Sequence, residues 1–283
     1  MNDLVGRLLV VDWDYFFPNP AMMTGPAGVD AFNYDWGHVE SPFMINDVWQ
    51  TRLTPFVEQN LPLPRCERFE GFWSRFGLSQ WEVGSIFVCE SNMEAGEIFP
   101  ASSVLDASDD ADGWAEVWLF DAHHDCGYPS ALHLRERSQY DCGSWMAEHA
   151  ERGSELHVRY PWWRATEDGS TFAEVEPEPW VPVDRRLDQW PDAAEDLPDS
   201  WDAVVVCRSG AWVPSWNDDQ FDVFVESAGI RTVWIDSNFE AGPRKQPDLA
   251  LARAELDIRA EQYAEIAEAN RRLTVPASDQ DAR

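Results

Sequence analysis

Two short stretches carry the side chains best suited to chemistry. Phe120-Asp121-Ala122-His123-His124-Asp125 sets two carboxylates and two imidazoles directly behind an apolar run, and Val11-Asp12-Trp13-Asp14 sets two carboxylates behind another. At a strand end, residues two apart point to the same side. Asp121 and His123 therefore face one point, and Asp125 comes round to it as the chain turns. Asp12 and Asp14 stand in the same relation, and carboxylates so placed repel unless a cation or a proton separates them. Mixed carboxylate and imidazole donors suit Mn²⁺, Zn²⁺ or Fe²⁺ better than Ca²⁺, which prefers an all-oxygen shell. The pattern predicts a divalent-metal site built from Asp12, Asp14, Asp121, His123 and Asp125. For the Asp121–Asp125 stretch a solvated surface turn is the plain alternative.

Two rival chemistries use parts of this pattern. An aspartyl-phosphate phosphatase takes the first Asp of an Asp-x-Asp strand end as nucleophile, but needs a downstream lysine to balance the phosphate. Lys245 is the only lysine, in a Gly-Pro-Arg-Lys-Gln-Pro loop, and arginine adapts less well to that role. A calcineurin-like phosphoesterase needs a late Gly-His-x-His, and no histidine follows His157.

Taken together, the two motifs resemble those of the arginase/deacetylase superfamily, whose members hold metal between an Asp-x-His-x-Asp strand end and an Asp-x-Asp strand end. Asp12-Trp13-Asp14-Tyr15-Phe16-Phe17-Pro18-Asn19-Pro20 is similar, more closely, to an uncharacterised arginase-related family that includes bacterial peptide arginases and phage arginase-like proteins. The likeness covers the motif-bearing strands and not the rest of the chain. It implies a three-layer, doubly wound α/β fold with a mostly parallel sheet of the arginase/deacetylase type. Arginases place the Asp-x-Asp strand after the Asp-x-His-x-Asp strand; here it comes first, so a circularly permuted sheet is expected. Two Mn²⁺ ions are implied, with Zn²⁺ or Fe²⁺ as substitutes. Asp12, Asp121 and Asp125 would serve one ion, and Asp12, Asp14 and His123 the other. Where arginases add a further histidine ligand, this chain has Asn92, a weak neutral donor, so one ion or two stays open. Deacetylases of the superfamily work with one ion, held by residues like Asp121, His123 and Asp12 or Asp14.

The implied reaction is hydrolysis of a guanidino C–N bond of arginine, free or within a peptide, by metal-bound hydroxide, with an acid protonating the departing amine. His124 and His149 are the candidate acids, a supporting or packing role being the alternative for each. Candidate substrate-binding residues are Asp141 and Ser144, at a helix opening where arginases contact substrate, and Glu90 and Ser209, behind other strands. Helix capping is the alternative for Ser144. Asp236 and Glu94 are further carboxylates for a guanidinium, and Trp162, Trp163, Trp180, Trp212 and Trp216 are candidates to stack on one. A deacetylase-like amide hydrolase on the same site, or a degenerate metal-binding module without turnover, are the other readings.

Placing these residues requires strands buried on both faces, and continuous apolar runs supply them. Such runs occur at 8–11, 85–89, 117–120, 203–207 and 232–235, with a weaker one at 156–160. Helices are expected from Trp145 to near Gly153 and from Asp219 to Ser227. The alternation predicts one α/β domain over 1–247, in which 161–200 is an acidic, Trp- and Pro-rich excursion. A C-terminal helix over 248–273 and a disordered tail over 274–283 follow. With 52 acidic against 21 basic residues, the net charge of −31 repels nucleic acid and anionic membrane, and attracts a cationic small molecule or peptide. Five cysteines without a Cys-x-x-Cys pair, and no run of membrane-spanning length or signal-like start, point to the cytoplasm.

Overall fold

The computed structural model describes residues 4–18, 41–78, 83–100, 113–128, 140–165, 176–192 and 197–274. Asn19 and Pro20 of the first motif lie outside them, as does the expected tail beyond Thr274. The apolar runs become strands β1 (Val5–Asp12), β2 (Ile86–Cys89), β3 (Trp114–Phe120), β4 (Glu155–Tyr160), β6 (Ala203–Cys207) and β7 (Thr232–Trp234). A further strand, β5 (Val183–Leu187), completes a seven-stranded sheet in the order β5-β4-β3-β1-β6-β2-β7. Every neighbouring pair is parallel. Among the described residues the helices are α1 (Pro42–Gln59), α2 (Met93–Gly96), α3 (Trp145–Arg152), α4 (Asp218–Ser227) and α5 (Leu249–Thr274).

Side-chain alternation divides the strand residues between two cores. Leu9, Val11, Phe120, Val204 and Val206 face one layer, packed by Trp49 of α1, Phe221 and Phe224 of α4, and a 3₁₀ turn at Phe72–Arg75. Leu8, Val10, Val117, Leu119 and Val205 face the other, packed by Trp145 and Met146 of α3 and Ala95 of α2. The result is a three-layer α/β fold. Gly153, at φ 100°, ends α3 and donates its N–H to the His149 and Ala150 carbonyls, as a left-handed glycine should.

The stretch 161–200 is more than a covering loop, because it supplies β5 and then Asp188. Asp188 is fully buried and paired with Arg75, with Nη2 2.9 Å from Oδ1 and Nη1 2.5 Å from Oδ2. The Tyr15 hydroxyl donates to Asp188 Oδ2 at 2.6 Å, and the Trp190 N–H donates to Oδ1 at 3.0 Å. The Arg75 guanidinium lies against the Phe72, Phe76, Phe120 and Trp190 rings at 5.1 to 5.6 Å. This ion pair therefore ties the edge of the sheet to the residue that follows Asp14.

Asp248 caps α5, accepting from the Ala250 and Leu251 N–H groups at 2.8 and 3.0 Å. The helix docks through its first turns, where Ala252 is buried against Leu53 and Val57 of α1. Farther on, Ile258, Tyr263 and Ile266 are exposed. Among the described residues no helix is long and apolar enough to cross a membrane.

Candidate functional site

The strand ends that carry the two motifs are neighbours. Val11 pairs with Phe120, and Asp12 with Cys207, which in turn pairs with Cys89. Asp12, Asp121, Glu90 and Arg208 thus leave adjoining strands at one carboxyl edge, where ligands collect in parallel sheets. Trp13, fully buried between the two motif aspartates, packs on Phe224 and Phe16 at 5.1 and 5.2 Å. It anchors a 3₁₀ turn, Trp13–Phe16, whose N-cap is Asp12: Oδ1 accepts the Asp14 N–H at 3.0 Å. The aromatic layer therefore fixes both carboxylates from below.

Four buried carboxylates converge here: Asp12, Asp14, Asp121 and Asp125. Asn92, at the start of α2, reaches into their midst. Its Nδ2 donates toward Asp12 Oδ2 at 2.6 Å, Asp121 Oδ2 at 3.1 Å and Asp125 Oδ2 at 3.1 Å. Asp125, held at φ 48°, also accepts the indole N–H of Trp145 on Oδ2 at 2.8 Å. Asp14 Oδ1 accepts the Ala122 N–H at 3.1 Å. Asp14 Oδ2 is buried, lies 3.0 Å from His123 Nδ1, and accepts no hydrogen bond of good geometry. Asp121 Oδ1 accepts the His123 N–H at 2.8 Å and lies 3.4 Å from Nδ1 of the same ring. One donor atom each from Asp14, Asp121 and His123 fall within 4.8 Å of one another, the spacing of a shared ion.

Charge crowding shows in the acidities. Burial, and then the neighbouring carboxylates, push Asp12 and Asp121 well above the usual carboxylate range. Burial pushes Asp125 up to about 7, against the opposing pull of His123, Trp145 and Asn92. Burial acts on Asp14 in the same sense, but His123, Asp121 and the Ala122 N–H together outweigh it and hold the carboxyl low. Without a cation the cluster must carry protons, and a divalent ion would take their place.

The other expected site residues fall in different places. Ser209, buried in a left-handed turn at φ 56°, stands near Asp12 and pulls its carboxyl down against the larger effect of burial. His149 does not reach the cluster; Trp145 is the residue of α3 that does. The His149 ring is fully buried, Nε2 sits 3.1 Å from the Ala95 carbonyl, and burial pulls its pKa down to about 4. The ring is committed to that carbonyl on the far side of Trp145 from the carboxylates. His124 is also fully buried, with Nδ1 accepting the Cys126 N–H at 2.9 Å and the ring stacked on Tyr128 at 4.4 Å. Asp141 and Ser144 bond each other: Ser144 Oγ donates to Asp141 Oδ1 at 2.6 Å and accepts the Asp141 N–H at 2.9 Å. They build the turn that delivers Trp145.

Glu90 does hold guanidinium groups, but they are the chain's own. Fully buried, it pairs through Oε2 with Arg208, whose Nε lies at 2.6 Å, and through Oε1 with Arg244 at 3.5 Å. Asp236 accepts the Glu90 N–H at 3.3 Å and the Asn238 N–H at 2.9 Å. Gly210 passes this ion pair so closely that a Cβ would overlap the Glu90 carboxylate and sit 2.6 Å from Arg244 Nη1. Gly210→Ala is expected to cost about 2 kcal/mol by overpacking, read as a lower urea midpoint at unchanged slope.

Of the five tryptophans considered for stacking, only Trp212 stands at the cluster, its ring 4.8 Å from that of His123. Trp163 is buried on the Tyr15 carbonyl, Trp162 lies under Arg68, Trp216 packs on Trp49, and Trp180 packs against the second core. The His123 side chain is 28% exposed, so the cluster opens to solvent beside Trp212. Trp145 is the contributor that the sequence reading missed. A tryptophan at a helix start gives no local sign that its N–H will cap a carboxylate twenty residues earlier. Comparison with protein-family models, with curated proteins and with solved structures finds no match for this chain.

Proposed function

We propose that this chain is a metal-dependent hydrolase of C–N bonds, with Asp14, Asp121 and His123 holding a divalent cation. The observation that carries this reading is the convergence of those three donor sets at one carboxyl edge of a parallel sheet, including a buried Asp14 oxygen without a hydrogen bond. Mn²⁺, Zn²⁺ and Fe²⁺ all suit two carboxylates and an imidazole. When bound, such an ion supplies Lewis acidity and activates water near neutral pH. The chain's own residues do the rest. Asn92 and Trp145 fix the carboxylates, and the exposed edge of His123 with the Trp212 ring forms the approach.

The substrate proposed first is the guanidino group of arginine, free or within a peptide, in keeping with the arginase-like motifs. A net charge of −31 draws a cation in, and the face of Trp212 can stack on one. The reversed order of the two motifs is no obstacle, since β1 lies beside β3 in the middle of the sheet. Amide hydrolysis of the deacetylase type is the second reading, favoured by the one-ion donor set of Asp14, Asp121 and His123.

The test is a purified, Mn²⁺-loaded chain assayed for urea and ornithine with arginine and arginyl peptides, and for acetate with acetylated cationic amines. Urea release is the expected result, and acetate release alone would move the assignment to the second reading. Tight metal with neither product would leave only a binding module, and no uptake of Mn²⁺, Zn²⁺ or Fe²⁺ would sink the site.

A further inference from the structure

The geometry points to a site built for one cation, in which the Asn92 amide nitrogen stands where a second would go. This rests on the metal-binding reading above and sharpens it. Three carboxylate oxygens, from Asp12, Asp121 and Asp125, surround Asn92 Nδ2 at 2.6, 3.1 and 3.1 Å. An amide oxygen in that position would face three acceptors, so the nitrogen must be the atom that points inward. Asn92 is therefore a donor to the carboxylates rather than the metal ligand expected from the sequence. Two N–H bonds shared among three carboxylates do part of what a cation would do, and a cation can enter the same triangle only by driving the amide out.

The remaining donors differ in kind. Asp12 is engaged through both oxygens, Oδ1 by the Asp14 N–H and Oδ2 by Asn92. Asp125 Oδ2 takes both the Trp145 indole and the Asn92 amide. Asp14 Oδ2, on a residue 3% exposed, lacks a hydrogen bond and points at the space shared with Asp121 and His123. Asn92 thus engages Asp12, Asp121 and Asp125, and Asp14 is the one carboxylate of the four that it does not touch.

Manganese stoichiometry and electron paramagnetic resonance of the full chain test this without an activity assay. The wild-type chain is expected to take up one Mn²⁺ and give the six-line spectrum of an isolated ion. Asn92→Asp, which replaces the amide by a fifth carboxylate, is expected to bind a second Mn²⁺ at least about tenfold more tightly than wild type does, because ligand charge sets affinity, and to give an exchange-coupled spectrum. Should that variant misfold, the wild-type count decides alone. Two coupled ions in the wild-type chain would overturn the inference and leave the hydrolase reading standing. No bound Mn²⁺ would overturn both.

Discussion

Asp14→Asn is expected to weaken Mn²⁺ binding at least about 100-fold, more than the loss of a supporting group alone usually costs, and to take turnover to background. Asp125→Asn, three positions past Ala122, is expected to leave Mn²⁺ binding largely intact. The contrast follows from which oxygens are in use. Asp14 Oδ1 accepts the Ala122 N–H, so the amide nitrogen of an Asn would take the place of Oδ2 beside His123, where it has no lone pair to offer a cation. Both hydrogen bonds to Asp125 arrive on Oδ2, so an amide oxygen in that place keeps them, and the left-handed φ of 48° suits Asn.

The Asp125 substitution also has a pH signature in the metal-free chain. Folding raises this carboxyl from 3.8 to about 7, chiefly through burial. The folded state then binds the proton more tightly than the unfolded state, so its contribution to stability falls as pH rises from about 4 to about 7 and stays low above that. Asp125→Asn removes the fall, and the variant should melt higher than wild type at pH 8 but not at pH 4. Calorimetric Mn²⁺ titration and thermal melts in chelator check both halves. Loss of Mn²⁺ by Asp125→Asn as severe as that of Asp14→Asn would place Asp125 among the ligands and end the one-ion arrangement.

Much of this cluster was legible because its carboxylates and His123 are local in sequence and sit behind apolar runs. Leu8 to Val11, Val117 to Phe120 and Ala203 to Val206 are uniformly apolar and wholly or nearly buried in β1, β3 and β6. Strand β5 was not legible. Val183-Asp184-Arg185-Arg186-Leu187 is an edge strand, and charged edges read as loop. Helix α1, with Pro55 inside it, also carries no clear sequence signal. The direction of the Asn92 amide and the capture of Glu90 by Arg208 and Arg244 depend on side chains more than a hundred positions apart or on three strand ends meeting. No local pattern encodes such meetings. His149 misled for the opposite reason: helical spacing placed it near the motif in sequence, but the α3 face that reaches the cluster belongs to Trp145.

Arg75→Met is expected to destabilise the fold by about 3–5 kcal/mol, the range for orphaning one partner of a buried ion pair. At this chain length that lowers the melting temperature by on the order of 10 °C. Asp188 would keep the Tyr15 hydroxyl and the Trp190 N–H but lose its bidentate cation in a fully buried position. Removing the stranded charge as well, in Arg75→Met with Asp188→Asn, should recover much of the loss, because the neutral amide leaves no buried charge and still offers partners to the Tyr15 hydroxyl and the Trp190 N–H. Chemical unfolding of the two variants against wild type decides it. Equal losses in the single and double variants would mean that the aromatic cage, rather than the charge, depends on Arg75.

The central place of β1 sets when the cluster can first exist. Val11 lies between Phe120 on one edge and Val206 on the other, so the first strand made waits for one of the last before both its edges are closed. Contacts so far apart in sequence make folding slow. A chain emerging from the ribosome holds Asp12 and Asp14 unassembled until β6 has been synthesised, and its apolar first strand stays open to wrong partners for that time.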